Sequence, residues 1–253
     1  MGKLKNITRA ILILVISIQA EFILSDEESE ESNARSQPFI QYLILYDSGI
    51  TEKQGQFLNG RQDGTWEAFY ESGNLKERAE WRRGRLQGPI ESFYDNSNPQ
   101  SKGAFDNNQQ VGEWTYFFEN GNIEQQGFFV DGLKSGPWNF YYENGSIKTE
   151  ATFESGIETG RFVYYDPKGV KESEGTLVEG IRDGDWRFYY SDGSMKTQGN
   201  FQADRENGAF RYFHQNGALE SEGSFNNGIR TGIWKVYDSE GKIAFNRKYI
   251  PGN

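Results

Sequence analysis

The chain has 253 residues, 35% of them hydrophobic, with a formal net charge of −10, 15% aromatic residues and 30 glycines. That balance is poor in material for one large core and points to short strands and tight turns rather than helices. The absence of cysteine excludes disulfides, thiolate nucleophiles and Cys-ligated metals, a single histidine excludes a His-rich metal site, and the acidity disfavours nucleic acid and anionic membrane surfaces, which need clustered Lys and Arg.

Lys3, Lys5 and Arg9 precede a short apolar run from Ala10 to Ile18, followed by Gln19, Ala20 and Glu21. This is the layout of a secretory signal peptide, too short to span a membrane, which needs about 20 apolar residues. Residues 1–20 are therefore expected to be a leader cleaved after Ala20, delivering the product to the cell envelope or the exterior. Residues 21–39 include Asp26, Glu27, Glu28, Glu30 and Glu31 among serines, and like charge without apolar residues predicts an acidic, disordered linker.

From Ile40 to the end the sequence repeats. Gly64, Gly88, Gly112, Gly136, Gly160, Gly184, Gly208 and Gly232 recur every 24 residues without insertion or deletion. Two residues after each stands Trp66, Ile90, Trp114, Trp138, Phe162, Trp186, Phe210 or Trp234, and five after each an aromatic, from Phe69 to Tyr237. A degenerate first copy at Ile40 completes nine, so the repeat domain is assigned to residues 40–253.

Each copy reads as a hairpin. In the copy that begins at Gly112, Trp114, Tyr116 and Phe118 lie on one face of a strand that runs into Asn120-Gly121, and a second strand returns through Ile123, Gly127 and Phe129. Asn-Gly favours a type I′ turn, with both central residues at positive φ. A second turn follows at Asp131-Gly132 and its equivalents, so the hairpins should join into an antiparallel meander. The small residue of the second strand, Gly103, Gly127, Ala151, Gly175, Gly199 or Gly223, leaves room for a neighbouring indole to lie on the backbone. The aromatic five residues after the repeat glycine should point away from the Trp face, which requires either a bulge or aromatic contacts on both faces.

The phrase Gly-x-Trp-x-x-Tyr-Tyr-x-x-Gly-x-Ile-x-x-x-Gly-x-Phe-x-x-Gly closely resembles the MORN repeat family, in particular the bacterial variant in YwqK-like antitoxins. The resemblance runs from Ile40 to about Tyr249. It implies an all-β fold, an elongated antiparallel single-sheet array of about nine hairpins, and no catalytic residues. It also implies scaffolding, membrane association or toxin neutralisation; the acidity argues against the membrane, and the leader against a cytosolic toxin.

His214, Asp166 and Asp238 occupy the slot that holds Tyr70, Tyr94, Phe118, Tyr142 and Tyr190 in other copies. Equivalent residues of adjacent copies stand roughly 10 Å apart, beyond hydrogen-bond reach, so no acid–base relay is expected. The carboxylates are scattered, and no glycine loop leads into a helix or a Gly-Lys pair. The expectation is a non-enzymatic scaffold, with no cofactor or metal, that binds an unidentified protein partner. The alternatives are a YwqK-type immunity protein and a carbohydrate binder. The residues singled out are Trp66, Trp114, Trp138, Trp186, Trp234, Tyr142 and Tyr190, either as structural aromatics or as a binding surface.

Overall fold

The structure, a computed structural model, describes residues 11–14 and 39–250. The cleavage position at Ala20 and the acidic stretch from Glu21 to Pro38 lie outside the described residues. The chain divides into two compact units, Met1–Gly121 and Asn122–Asn253. The described residues are strands and turns, and none of them forms a helix able to cross a membrane.

In the first unit β1 (Ile11–Leu14) pairs with β2 (Ile40–Leu45), Leu14 opposite Gln41. There follow β3 (Thr51–Leu58), β4 (Arg61–Phe69), β5 (Leu75–Arg82), β6 (Arg85–Phe93), β7 (Pro99–Asp106) and β8 (Gln109–Phe117). Each pairs antiparallel with its sequence neighbour. The second unit repeats the arrangement from β9 (Ile123–Val130) through β10 (Leu133–Tyr141), β11 (Ile147–Glu154), β12 (Ile157–Tyr165) and β13 (Lys171–Val178). It continues with β14 (Ile181–Arg182), β15 (Gly184–Tyr189), β16 (Met195–Gln202), β17 (Arg205–Phe213), β18 (Leu219–Asn226), β19 (Ile229–Tyr237) and β20 (Ile243–Tyr249). The fold is all-β, built from antiparallel hairpins.

The turn within each copy differs from expectation in type. At the turn within a copy, Gly145 N–H donates to the Tyr142 carbonyl and Tyr142 N–H to Ser146. Only the glycine takes positive φ, +86° at Gly145 and +90° at Gly121. This is a three-residue loop, a type I turn closed by a left-handed residue, and not type I′. The asparagine is selected for its side chain: Asn144 Oδ1 accepts the Ser146 N–H at 2.9 Å and its Nδ2 donates to the Pro167 carbonyl of the next copy at 3.0 Å. The type I′ turn joins one copy to the next, where both central residues are left-handed: Asn59-Gly60, Asp131-Gly132, Ser155-Gly156, Glu179-Gly180 and Asn227-Gly228.

The repeat glycine marks a bulge. Gly136 has φ +68°, and its equivalents lie between +68° and +108°, a region open to glycine at little cost. Opposite β9 the register jumps from Ser135 to Trp138. The opened ladder exposes the Phe128 carbonyl, and the Trp138 indole N–H donates to it at 3.1 Å. Trp66, Trp114, Trp186 and Trp234 make the same bond to Gln56, Ala104, Thr176 and Ser224. Bulge, glycine and tryptophan thus form one device in which the indole satisfies a backbone acceptor.

Candidate functional site

The seven aromatic residues singled out from the sequence fall into two structural roles. Trp66, Trp114, Trp138, Trp186 and Trp234 are all 3% exposed or less. Each indole lies on the small residue of the preceding strand: a Cβ at Gly55, Gly103, Gly127, Gly175 or Gly223 would collide with the ring. The next aromatic stands edge-on, as Phe129 does to Trp138 at 5.1 Å and 86°. Cations lie over the rings of Trp66, Trp138, Trp186 and Trp234, and Tyr116 stacks on Trp114. Lys134 Nζ is 4.0 Å from the Trp138 ring centre and Arg230 Cζ 4.3 Å from that of Trp234; burial lowers the Lys134 pKa, while the Glu158 charge opposes that shift. With both faces occupied, these indoles are core and present no platform on which a sugar ring could stack.

Tyr142 and Tyr190 are half-buried ties between copies. Tyr190 Oη donates to the Phe213 carbonyl at 2.8 Å and Tyr142 Oη to that of Tyr165 at 2.8 Å. Tyr46, Tyr70 and Tyr94 repeat the bond to Phe69, Phe93 and Phe117. Burial, reinforced by the adjacent Tyr164 hydroxyl, pushes the Tyr142 phenol up to about 12.

In the same slot, Asp166 Oδ1 turns inward to accept the Lys168 and Val170 N–H groups at 2.9 Å, and Asp238 does the same for Glu240 and Lys242. His214 Nε2 is covered and makes no hydrogen bond. No bond joins these three residues among those described, and no group of three His, Cys, Asp or Glu there could hold a metal ion.

The opposite face carries a row that is mostly charged and polar, interrupted by Leu43 and by the fully buried Val163. In the first unit the paired order is Leu43, Gln54, Glu67, Arg78, Glu91, Lys102, Thr115. In the second it is Gln126, Asn139, Glu150, Val163, Glu174, Arg187, Gln198, Arg211, Glu222, Lys235, Asn246. The acids are the sheltered members: Glu174 and Glu222 side chains are 22% and 26% exposed, against 52% and 54% for Arg187 and Arg211. Tyrosines help to hold them, Tyr189 bonding Glu174 at 2.5 Å and Tyr237 bonding Glu222 at 3.0 Å. The Lys171 ammonium, then the Tyr189 hydroxyl, keep Glu174 below the usual carboxylate range, and Lys235 and Tyr237 do so for Glu222. Both sequence alternatives for the fifth-position aromatics therefore occur: register shifts fall at Phe140/Tyr141 and its equivalents, and tyrosines serve the second face.

The family model described as MORN repeat variant matches residues 62–82, 110–131, 134–155, 182–203, 206–227 and 230–250, together just over half of the chain. The chain belongs to the MORN repeat family. The two full copies between these matches are those with Ile90 and Phe162, which pair with Ala79 and Ala151 instead of glycine. The defining positions of the MORN repeat are spent here on turns, bulges and core, and the protein is a repeat β-sheet scaffold. Comparison with curated proteins finds no match. Among solved structures the chain is similar to "Crystal Structure of TcdB2-TccC3-TEV", with 11% identity, a TM-score of 0.23 and coverage of 80% of this chain and 14% of that one. It is also similar to "Crystal Structure of TcdB2-TccC3-Cdc42", with 9% identity, a TM-score of 0.18 and coverage of 79% and 14%. Likeness at this level bears on neither fold nor function.

Proposed function

We propose that this MORN protein is a protein-binding scaffold that meets its partner through the polar rows. The observation that carries this reading is the division of labour between faces. One face is consumed by the aromatic core, while the other presents Arg187, Arg211 and Lys235 outward above carboxylates fixed by tyrosines. Charged groups held in a regular order supply specificity and register to an interface. Membership of the MORN family supports a scaffold role. The leader-like sequence of residues 1–20 supports export, and in that reading the partner is met in the envelope or outside the cell.

The test is the size of the native complex. Wild-type protein in a gentle extract should elute in a larger species, and the triple variant Arg187→Glu, Arg211→Glu, Lys235→Glu should elute at the size of the free chain. Equal elution of the two would remove the polar row from the account. If the co-eluting protein is a toxin, the scaffold acts in neutralisation, the YwqK-like role. The intact mass of the natural product tests export: loss of residues 1–20 is expected, and a full-length cytosolic product would contradict it.

A further inference from the structure

The second unit leaves an apolar margin open on the same face as its polar row. Val130 and Leu133, Glu154 and Ile157, and Val178 and Ile181 are opposed pairs that flank the type I′ turns at Asp131-Gly132, Ser155-Gly156 and Glu179-Gly180. Strand alternation points these residues away from the core. Phe129, Phe153 and Leu177 turn inward and are buried, while Phe128, Val130, Leu133, Ile157, Val178 and Ile181 are each 45–55% exposed. Successive turns are contiguous: a Cβ on Gly156 would lie 3.4 Å from the Leu133 Cδ2.

The repeat does not demand apolar residues at these positions. The equivalent pairs in neighbouring copies of the sequence are Arg82 and Arg85, Asp106 and Gln109, and Gln202 and Arg205. Glu154, exposed beside its turn, is the one charge among the six flanking residues. Half of six aliphatic or aromatic side chains is roughly 500 Å² of apolar surface, toward the upper end of what a monomer ordinarily leaves to water. A patch of that size, confined to three consecutive turns of a strongly acidic chain, is the mark of an interface rather than of scattered surface apolar residues.

We infer that this margin is a self-association surface and that its occupant is the same margin of a second copy of the chain. Area is the first argument: two such margins face to face bury on the order of 1,000 Å², where specific interfaces begin. Period is the second. Side chains of successive turns stand about 10 Å apart, and a second copy presents the same spacing by construction. A two-fold axis sets the two rows in opposite directions, so that Val130 and Leu133 meet Val178 and Ile181 of the second copy and Ile157 lies near the centre. The polar row runs through Glu150 and Glu174, four residues along β11 and β13 from Glu154 and Val178, about 13 Å away. Contact confined to the margins therefore leaves the polar row open, and the dimer is separate from the partner contact proposed above.

The test is sedimentation equilibrium of the purified full chain at about 50 µM, a concentration suited to an interface at the small end of the specific range. The wild type should sediment at twice the mass of one chain. The triple variant Leu133→Arg, Ile157→Arg, Ile181→Arg should sediment at the single-chain mass with the wild-type tryptophan emission, because arginine is native at the equivalent positions Arg61, Arg85 and Arg205. Glu154→Leu extends the margin and should tighten the dimer by about tenfold or more. The row variant Arg187→Glu, Arg211→Glu, Lys235→Glu should remain dimeric, so that failure of the partner contact and failure of the dimer are told apart. A single-chain mass for the wild type would overturn the inference. So would a dimer that persists in the triple arginine variant, which would place the contact elsewhere in the chain, or equal association of Glu154→Leu and wild type. A monomer that binds phosphatidylcholine vesicles, as wild type but not as the triple arginine variant, would reassign the margin to a lipid surface.

Discussion

At the position two residues after the repeat glycine, tryptophan stands only where the residue beneath it is glycine. Trp66, Trp114, Trp138, Trp186 and Trp234 face Gly55, Gly103, Gly127, Gly175 and Gly223, while Ala79 and Ala151 face Ile90 and Phe162. A methyl group at Gly127 must displace the Trp138 indole, so Gly127→Ala should cost about 1–3 kcal/mol in urea unfolding, the usual range for overpacking. The cost should fall in a Trp138→Phe background, and simple additivity in that double-mutant cycle would contradict the packing argument. Ser97 is the counterpart: it holds φ +68° where other copies place glycine, in a turn closed by its own N–H to the Tyr94 carbonyl. Ser97→Gly should therefore stabilise by about 1 kcal/mol, the lower end of the penalty for a side chain in the left-handed region. A neutral or negative effect would show that Ser97 is held by something other than its backbone. The Trp–Gly partnership was legible in the sequence because a fixed period brings the two positions together copy after copy. The role of the turn asparagine was not: Asn-Gly has one backbone signature in isolation, and here the cross-copy bonds of the Asn side chain decide the turn type.

Between hairpins the tyrosine slot supplies a hydrogen bond that the 24-residue period alone does not announce, since Tyr190 reaches the Phe213 carbonyl 23 residues on. Tyr190→Phe should lose about 1 kcal/mol of stability, the net worth of a typical hydrogen bond. A change much below that would mean the carbonyl finds water instead. The second-face tyrosines give the element a pH signature. Tyr189 is pushed from 10.0 to about 12, by burial first and then by its bond to Glu174. A phenol with a raised folded pKa contributes stability that is complete below pH 10 and lost as pH climbs from 10 to 12. The urea midpoint should accordingly drop across that window, and Tyr189→Phe should flatten the drop; an unchanged slope would remove Tyr189 as its source. The alternation of faces could be read from the strands themselves. The bulge at the repeat glycine could not, because a conserved glycine spacing is equally consistent with a turn.

At the scale of the chain, period and composition indicated a hairpin-repeat protein, and the MORN match agrees. The surfaces were harder to foresee. Lys134 and Arg230 fold back over the rings of Trp138 and Trp234, which strand alternation does not dictate. The apolar margin was visible in principle, since Leu133, Ile157 and Ile181 follow one another at 24 residues, but gathering it with Phe128, Val130 and Val178 requires the turn geometry. The account rests on the polar rows being the surface that meets a partner. The measurement that tests it most directly is photo-crosslinking in the native cell, with a photoreactive residue placed singly at Arg187, Arg211 or Lys235 and, as a control, at the edge position Ile229. The account predicts a discrete protein adduct from the row positions and none from the edge control. Adducts from the edge alone, or none from either, would contradict it.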